Sequence, residues 1–197
     1  MRNRLTAILM LAAVIAAGCG SMDDFDTARE GLSCGPHLDR YPVQGPHNGG
    51  YDADWFEFTC PPHPKGLEDT SDFIAGRHLG NDIFGARGTP IVAGRAGVVV
   101  HAGWDDLGGL RVTVKDGCDW HYYYAHLDEI DSSIKVGAQV RVGAPIGTMG
   151  NTGDAQNGAP HLHFSIYPND DYQAGIDPFP FLEDVDATSC AFPAATP

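Results

Sequence analysis

Positive charge is scarce in this chain: 12 Lys and Arg stand against 26 Asp and Glu, a formal net charge of −14. Arg2 and Arg4 fall within residues 1–18, and without that stretch the charge becomes −16 (−14 less 2). A surface so acidic has little with which to neutralise a phosphate backbone, so no nucleic acid is expected as a partner. It also disfavours tight electrostatic adhesion to polyanions, and it names no substrate. Long apolar runs are missing too. Leu5–Ala17 is too short to span a bilayer comfortably, which makes a permanent transmembrane helix the weaker reading. No two of the five cysteines stand in CxxC spacing, so a cysteine-built zinc site does not fit. No convincing long helical period appears.

What is present begins with an export signal. Arg2 and Arg4, the apolar run and the small residues of "AAGCGS" make an n-region, h-region and cleavage site. "VIAAGC" resembles the lipobox of bacterial lipoproteins, with Cys19 as the lipidated residue; ordinary cleavage near Gly18 is the alternative, and either exports the chain. Lipidation at Cys19 places enough acyl CH₂ groups in a bilayer for lasting anchorage, expected at the outer membrane or cell surface. Setting Cys19 aside leaves Cys34, Cys60, Cys118 and Cys190, an even set suited to an oxidising compartment. Three pairings are open; Cys34–Cys60 with Cys118–Cys190 is preferred because it pins the N-terminal arm and the C-terminal tail separately.

Residues 1–19 read as signal and lipobox, 20–70 as tether and lead-in, 71–185 as the folded domain and 186–197 as a tail. Within 20–70, residues 20–50 are polar and rich in Gly, Pro and Asp, with a short helical turn at "MDDFDTARE", and 51–70 form a loop with one strand. From Phe73 to about Leu182 the pattern is β. "TPIVAGRAGVVVHAGW", "LRVTVKD", "WHYYYAHL", "AQVRVGAPIGTMG" and "HLHFSIYP" are rich in Val, Ile and aromatics, and Gly, Asp and Asn separate them. "KDGCDW" reads as a hairpin connection. "GTPIVAGRAGVVV" and "VGAQVRVGAPIGTMG" share a Gly-spaced rhythm, a degenerate repeat too loose for a solenoid. The expected fold is mainly β: an antiparallel sheet with little helix.

Nine histidines are spread along the chain. His37, His47 and His63 lie in Pro- and Gly-rich stretches and read as solvated; His101 and His121 flank strands. "RHLGNDIFG" sets His78 and Asp82 four apart, and Gly80, Asn81 and Gly85 indicate a strand end or turn that can aim both inward. A polar loop with an accidental pair is the bland alternative. "YYYAHL" puts Tyr122, Tyr124 and His126 on one strand face, where His126 fits a satisfied core or rim histidine. In "HLHF", His161 and His163 share a face about 6.6 Å apart, which suits either a metal site or a tyrosine-lined polar patch. Taken together the residues say more. Two His and one Asp suffice as ligands for a catalytic zinc with the fourth position left to water, whose pKa then falls to about 7. Two histidines remain to serve as base and oxyanion partner, and that set fits hydrolysis.

"HLGND", "YYYAHL" and "HLHF", in that order, resemble the M23 metallopeptidases, the lysostaphin-like or LytM-type endopeptidases of bacterial cell walls. The flanking "GTPIVAGRAGVVV", "VGAQVRVGAPIGTMGNTGDAQNGAPHLHF" and "DPFPFL" extend the likeness over residues 73–182. The resemblance implies a groove over an antiparallel sheet of the duplicated hybrid motif type. By position it implies zinc (Zn2+) on His78, Asp82 and His163, with His161 accepting the proton of the attacking water and His126 acting on the oxyanion. Its implied substrate is the peptide of peptidoglycan. The chain departs from many relatives at "WDDLGGLRVTVKDGCD", which lacks a Gly-Asn turn and a following histidine; no tyrosine of the lead-in matches the one that some members set beside the oxyanion, and none is assigned; the extra cysteines are not general to the family. The leading expectation is therefore a zinc metalloendopeptidase of the cell wall, lipid-anchored in the envelope. A non-catalytic LytM-type regulator that activates an amidase partner is the alternative, and a secreted peptidase for other proteins or a foreign wall is a third.

Overall fold

The computed structural model describes residues 34–49 and 72–189. The export segment with Cys19, the helical turn expected at "MDDFDTARE", the lead-in strand with Cys60 and His63, and Cys190 lie outside them. Cys34 and Cys118 are each disulfide-bonded. Among the described residues are nine strands, β1 His47–Gly49, β2 Asn81–Gly85, β3 Pro90–Val92, β4 Gly97–Asp105, β5 Gly109–Lys115, β6 Trp120–Ile130, β7 Gln139–Val140, β8 Pro145–Met149 and β9 His161–Pro168, and one helix, α1 Phe179–Ser189.

The strands run β1-β2-β9-β6-β5-β4-β7, and β8, off this path, pairs with β3 and β6. All the pairings are antiparallel. The fold is thus mainly β, as the patterning predicts. The two Gly-spaced stretches pair with each other: Ile91 of β3 opposes Gly147 of β8, and Gly97 of β4 opposes Val140 of β7. "KDGCDW" is the expected hairpin, closed by the Asp116 carboxylate, which accepts the N–H groups of Cys118 and Trp120 at 2.9 and 3.0 Å.

Strand alternation separates two chemistries. On β9, Leu162, Phe164 and Ile166 are fully buried in the main core, whereas His161, His163, Ser165 and Tyr167 occupy the other face. On β6, Tyr122 and Tyr124 enter that core, and Tyr123 and Ala125 join Tyr167 on the opposite side. Ile91, Ile134, Ile146 and the α1 residues Leu182 and Val185 complete the main core. Burial of one such side chain contributes about 1.5–3 kcal/mol. One face of the sheet is therefore a packed floor, and the other presents imidazoles and phenols.

Three points of the sequence reading need correction. Residues 35–49, assigned to a tether, are packed: Leu38, Tyr41 and Val43 belong to the main core, and Arg95 holds Asp39 at 2.7 Å. Their few apolar residues are hidden in sequence by the surrounding Gly, Pro and polar residues. His47, expected in solvent, stacks on Tyr41 with ring centroids 4.4 Å apart. Helix α1 was also missed, because Leu182 and Val185 alone give too short a period; Asp177 accepts the Phe179 N–H at 3.0 Å and so starts it. Among the described residues no helix is long and apolar enough to cross a membrane.

Candidate functional site

β2 and β9 lie side by side with Asp82 opposite His163, Phe84 opposite His161 and Ile83 opposite the core residue Leu162. This register brings Asp82 and the two β9 histidines to one face. His78 stands in the turn just before β2, where Ile74 and His78 exchange backbone hydrogen bonds. Gly80 between them has no room for a side chain: a Cβ there would come within 2.6 Å of the Phe164 carbonyl and 2.7 Å of His163 Nε2. The glycine of "HLGND" thus lets the turn close on β9.

His126 reaches the same face by a different route. Unbroken alternation would have sent it into the core with Tyr122 and Tyr124, as the sequence suggested; instead its backbone is left-handed, with φ 60°. The β5 pairing shifts register between Leu110 and Val112, and the His126 N–H donates to the Gly108 carbonyl at 2.8 Å. Its ring consequently packs 4.8 Å from that of His161 and 5.9 Å from that of His163.

Three donor atoms converge. His163 Nδ1 is 2.8 Å from Asp82 Oδ1, His78 Nε2 is 3.2 Å from the same oxygen, and the two nitrogens are 3.1 Å apart. Ligands about 2.0–2.1 Å from a tetrahedral zinc stand roughly 3.3 Å from one another, so this donor set fits such an ion with small adjustments. Together His78, Asp82 and His163 form a group that could hold a metal. Burial opposes ionisation of Asp82, yet hydrogen bonds from His163 and His78 hold its carboxyl well below the usual carboxylate range. The Asp82 hydrogen bond pushes His78 up to about 9. Burial, reinforced by the charge of Asp82, raises Asp72 to about 6.

The nitrogens facing away from this point fix the tautomers, because a carbonyl can only accept. His78 donates Nδ1–H to the Asp72 carbonyl at 2.8 Å, which leaves Nε2 as the nitrogen facing Asp82 and the convergence point. His161 donates Nδ1–H to the Ala159 carbonyl at 2.9 Å, and its Nε2 lies 3.7 Å from Asp82 Oδ2. His126 donates Nδ1–H to the Thr152 carbonyl at 2.8 Å, and its Nε2 lies 3.8 Å from Asp154 Oδ1. Burial, with His161 beside it, lowers His126 to about 4. Both non-converging histidines therefore present a lone pair at Nε2.

The structure brings together all five residues singled out from sequence: His78, Asp82, His126, His161 and His163. Sequence reasoning missed three supporting residues. Asp72 accepts from His78 through its carbonyl and from the Asp82 N–H through its carboxylate, at 3.3 Å. Ser165 Oγ and Tyr172 OH stand 3.0 and 3.1 Å from His163 Nε2. Ser165 was legible as the residue two after His163 on the same strand face; Tyr172 sits on a 3-10 turn, Tyr172–Ala174, with no periodic signal.

The sequence pattern of the peptidase family M23 matches residues 76–175, which contain every one of those five side chains. An L-Ala–D-Glu endopeptidase of Bacillus subtilis is 36% identical over 111 residues, covering 53% of this chain and 34% of that protein. An uncharacterised lipoprotein of Escherichia coli is 38% identical over 109 residues, 54% of this chain and 40% of its own. The match thus spans about a third of the length of these curated relatives. The solved catalytic domain of the antimicrobial peptidase lysostaphin from Staphylococcus simulans superposes with a TM-score of 0.53 at 33% identity, covering 70% of this chain and 92% of that one. With the family pattern laid over half the sequence, the fold of a solved relative and the convergent His-Asp-His group, the chain belongs to peptidase family M23.

Proposed function

We propose that this protein is a zinc metalloendopeptidase that hydrolyses peptide bonds of bacterial cell-wall peptidoglycan. The observation that carries this reading is the convergence of His78 Nε2, Asp82 Oδ1 and His163 Nδ1 within 2.8–3.2 Å, beside two further imidazoles with inward lone pairs. The activities of the relatives, an L-Ala–D-Glu endopeptidase and an antimicrobial peptidase, support the substrate class.

In this reading His78, Asp82 and His163 hold the ion, which when bound supplies Lewis acidity towards the scissile carbonyl and acidifies water. His161 is the base: its Nε2 takes the proton of the attacking water, while Nδ1–H stays on the Ala159 carbonyl and keeps the ring aimed. That proton is the one the leaving amine needs when the C–N bond breaks. His126 faces the developing oxyanion, and it can donate there only with Nε2 protonated, a form that burial disfavours at rest and that the Asp154 carboxylate, 3.8 Å away, offsets in part. Holding His126 in the left-handed region costs on the order of 1–3 kcal/mol, strain of the kind found where a side chain must be aimed.

The proposal extends to export through residues 1–19, lipid anchoring at Cys19, and a peptidase domain over 71–185 that works at the envelope. Because residues 35–49 pack on the sheet, the stretch between Cys19 and the domain is shorter than the sequence suggested. A regulator that activates an amidase has no need of a complete set of five site residues, and this chain has all five.

The test is a pair of variants assayed for zinc and for release of wall peptides. His163→Ala is expected to lose both. His161→Ala is expected to keep zinc and lose turnover. Full activity in both variants, or stimulation of an amidase by a zinc-free protein, contradicts the reading.

A further inference from the structure

Each of the four site histidines is held from behind at the ring nitrogen that faces away from the convergence point, but not by the same kind of group. For His78, His126 and His161 the partner is a backbone carbonyl, of Asp72, Thr152 and Ala159 respectively. A carbonyl accepts only, so the main chain alone decides where those protons sit. His163 is the exception. Its Nε2 meets two side-chain hydroxyls, Ser165 Oγ at 3.0 Å and Tyr172 OH at 3.1 Å.

This difference matters because His163 is reversed relative to His78. It turns Nδ1, not Nε2, towards Asp82 and His78. A neutral imidazole carries one N–H. Placed on Nδ1, that hydrogen points at the Asp82 carboxylate and blocks the nitrogen as a ligand; placed on Nε2, it leaves Nδ1 free. Something must therefore accept the Nε2 proton.

The two hydroxyls are built into that position. Ser165 is fully buried. The Tyr172 ring is wedged between Tyr123 and Tyr167, with ring centroids 5.5 Å from each. Its 3-10 turn is capped by Asp171, which accepts the Gln173 N–H at 3.1 Å, and the Ile176 N–H ties the segment to the Ile166 carbonyl of β9 at 3.0 Å. From the other side Gly80 closes the gap, since a Cβ there would lie 2.6 Å from Ser165 Oγ.

We propose that Tyr172 and Ser165 are positioning residues of the metal centre: together they accept the Nε2 proton of His163 and so commit its Nδ1 to the ion. The proposal rests on the metal reading above. It makes the segment after β9, outside the three sequence motifs, part of the device that tunes how tightly the ion is held. Outer partners of this kind typically change metal affinity 10–100-fold.

The experiment compares the wild-type chain with Tyr172→Phe, Ser165→Ala and the double variant. Zinc affinity is measured by competition with a chromophoric chelator, and the Nε2–H signal of His163 is read by NMR on zinc-loaded, ¹⁵N-histidine-labelled protein. Either single variant should bind zinc about tenfold more weakly, because the other hydroxyl still takes the proton, and the double variant about a hundredfold more weakly. The slowly exchanging Nε2–H signal should persist in the singles and vanish in the double. Tyr172→Phe keeps the ring between its two tyrosine neighbours and serves as the arm in which the fold is retained. Wild-type affinity in Tyr172→Phe and in a folded double variant overturns the proposal while leaving the metal reading intact. A wild-type chain that takes up no zinc overturns the metal reading itself, and the positioning role with it.

Discussion

Asp82 and His163 face each other across the β2–β9 pairing, with Oδ1 2.8 Å from Nδ1. They are 81 residues apart in the chain, and the strand register alone makes them neighbours. Asp82 also accepts from His78 and is itself held through its N–H by the Asp72 carboxylate. One carboxylate thus gathers the whole group.

Asp82→Asn removes the charge around which both histidines are arranged. Zinc affinity should fall by more than the roughly 10–100-fold that loss of an outer partner costs. His78, no longer bonded to a carboxylate, should titrate nearer its ordinary value. Equilibrium dialysis and a histidine NMR titration check the two effects; unchanged zinc affinity speaks against Asp82 as a ligand.

The pH dependence follows from His78, which the Asp82 hydrogen bond raises to about 9 in the folded chain against about 6.5 in an unfolded one. A raised histidine contributes stability that is fully present below pH 6.5 and is lost as pH rises through 9. Metal-stripped protein should therefore unfold more easily at pH 9 than at pH 6.5. Zinc affinity should run the other way, climbing over that window and then levelling, since the ion must displace the His78 proton. A flat affinity profile between pH 6.5 and 9 contradicts this assignment.

Backbone strain at His126 separates two substitutions that remove the same ring. Its φ of 60° suits glycine and disfavours alanine. His126→Gly should be about 1 kcal/mol more stable than His126→Ala in urea unfolding, with both inactive on wall peptides. Equal stabilities mean that the left-handed conformation carries no strain.

Much of this was legible beforehand. The β strands and the facing pair His161 and His163 follow from alternation, and the three motifs pointed to the five site residues. What was hidden had physical causes. His126 left the face that alternation assigns it because the β5–β6 register slips beside it. Tyr172 reaches His163 from an irregular turn, where no period marks a side chain. Leu38, Tyr41 and Val43 pack on the sheet from a stretch whose composition reads as linker.

Gly80→Ala tests how closely the motif turn is fitted to β9. The added methyl would meet the Phe164 carbonyl, Ser165 Oγ and His163 Nε2 inside 3.0 Å. A loss of about 1–3 kcal/mol in stability is expected, with weaker zinc binding because the clash falls on His163 itself. Wild-type stability and zinc binding together would show that the turn yields freely.

The most direct test of the account is a zinc titration of chelator-stripped protein, followed by mass analysis of fragments released from purified peptidoglycan. Activity should be absent without metal, rise linearly and level at about one zinc per chain, with new amine and carboxylate ends at a single kind of peptide bond. Wall digestion that survives complete removal of metal, or a fully zinc-loaded protein that releases no peptide ends, would contradict it.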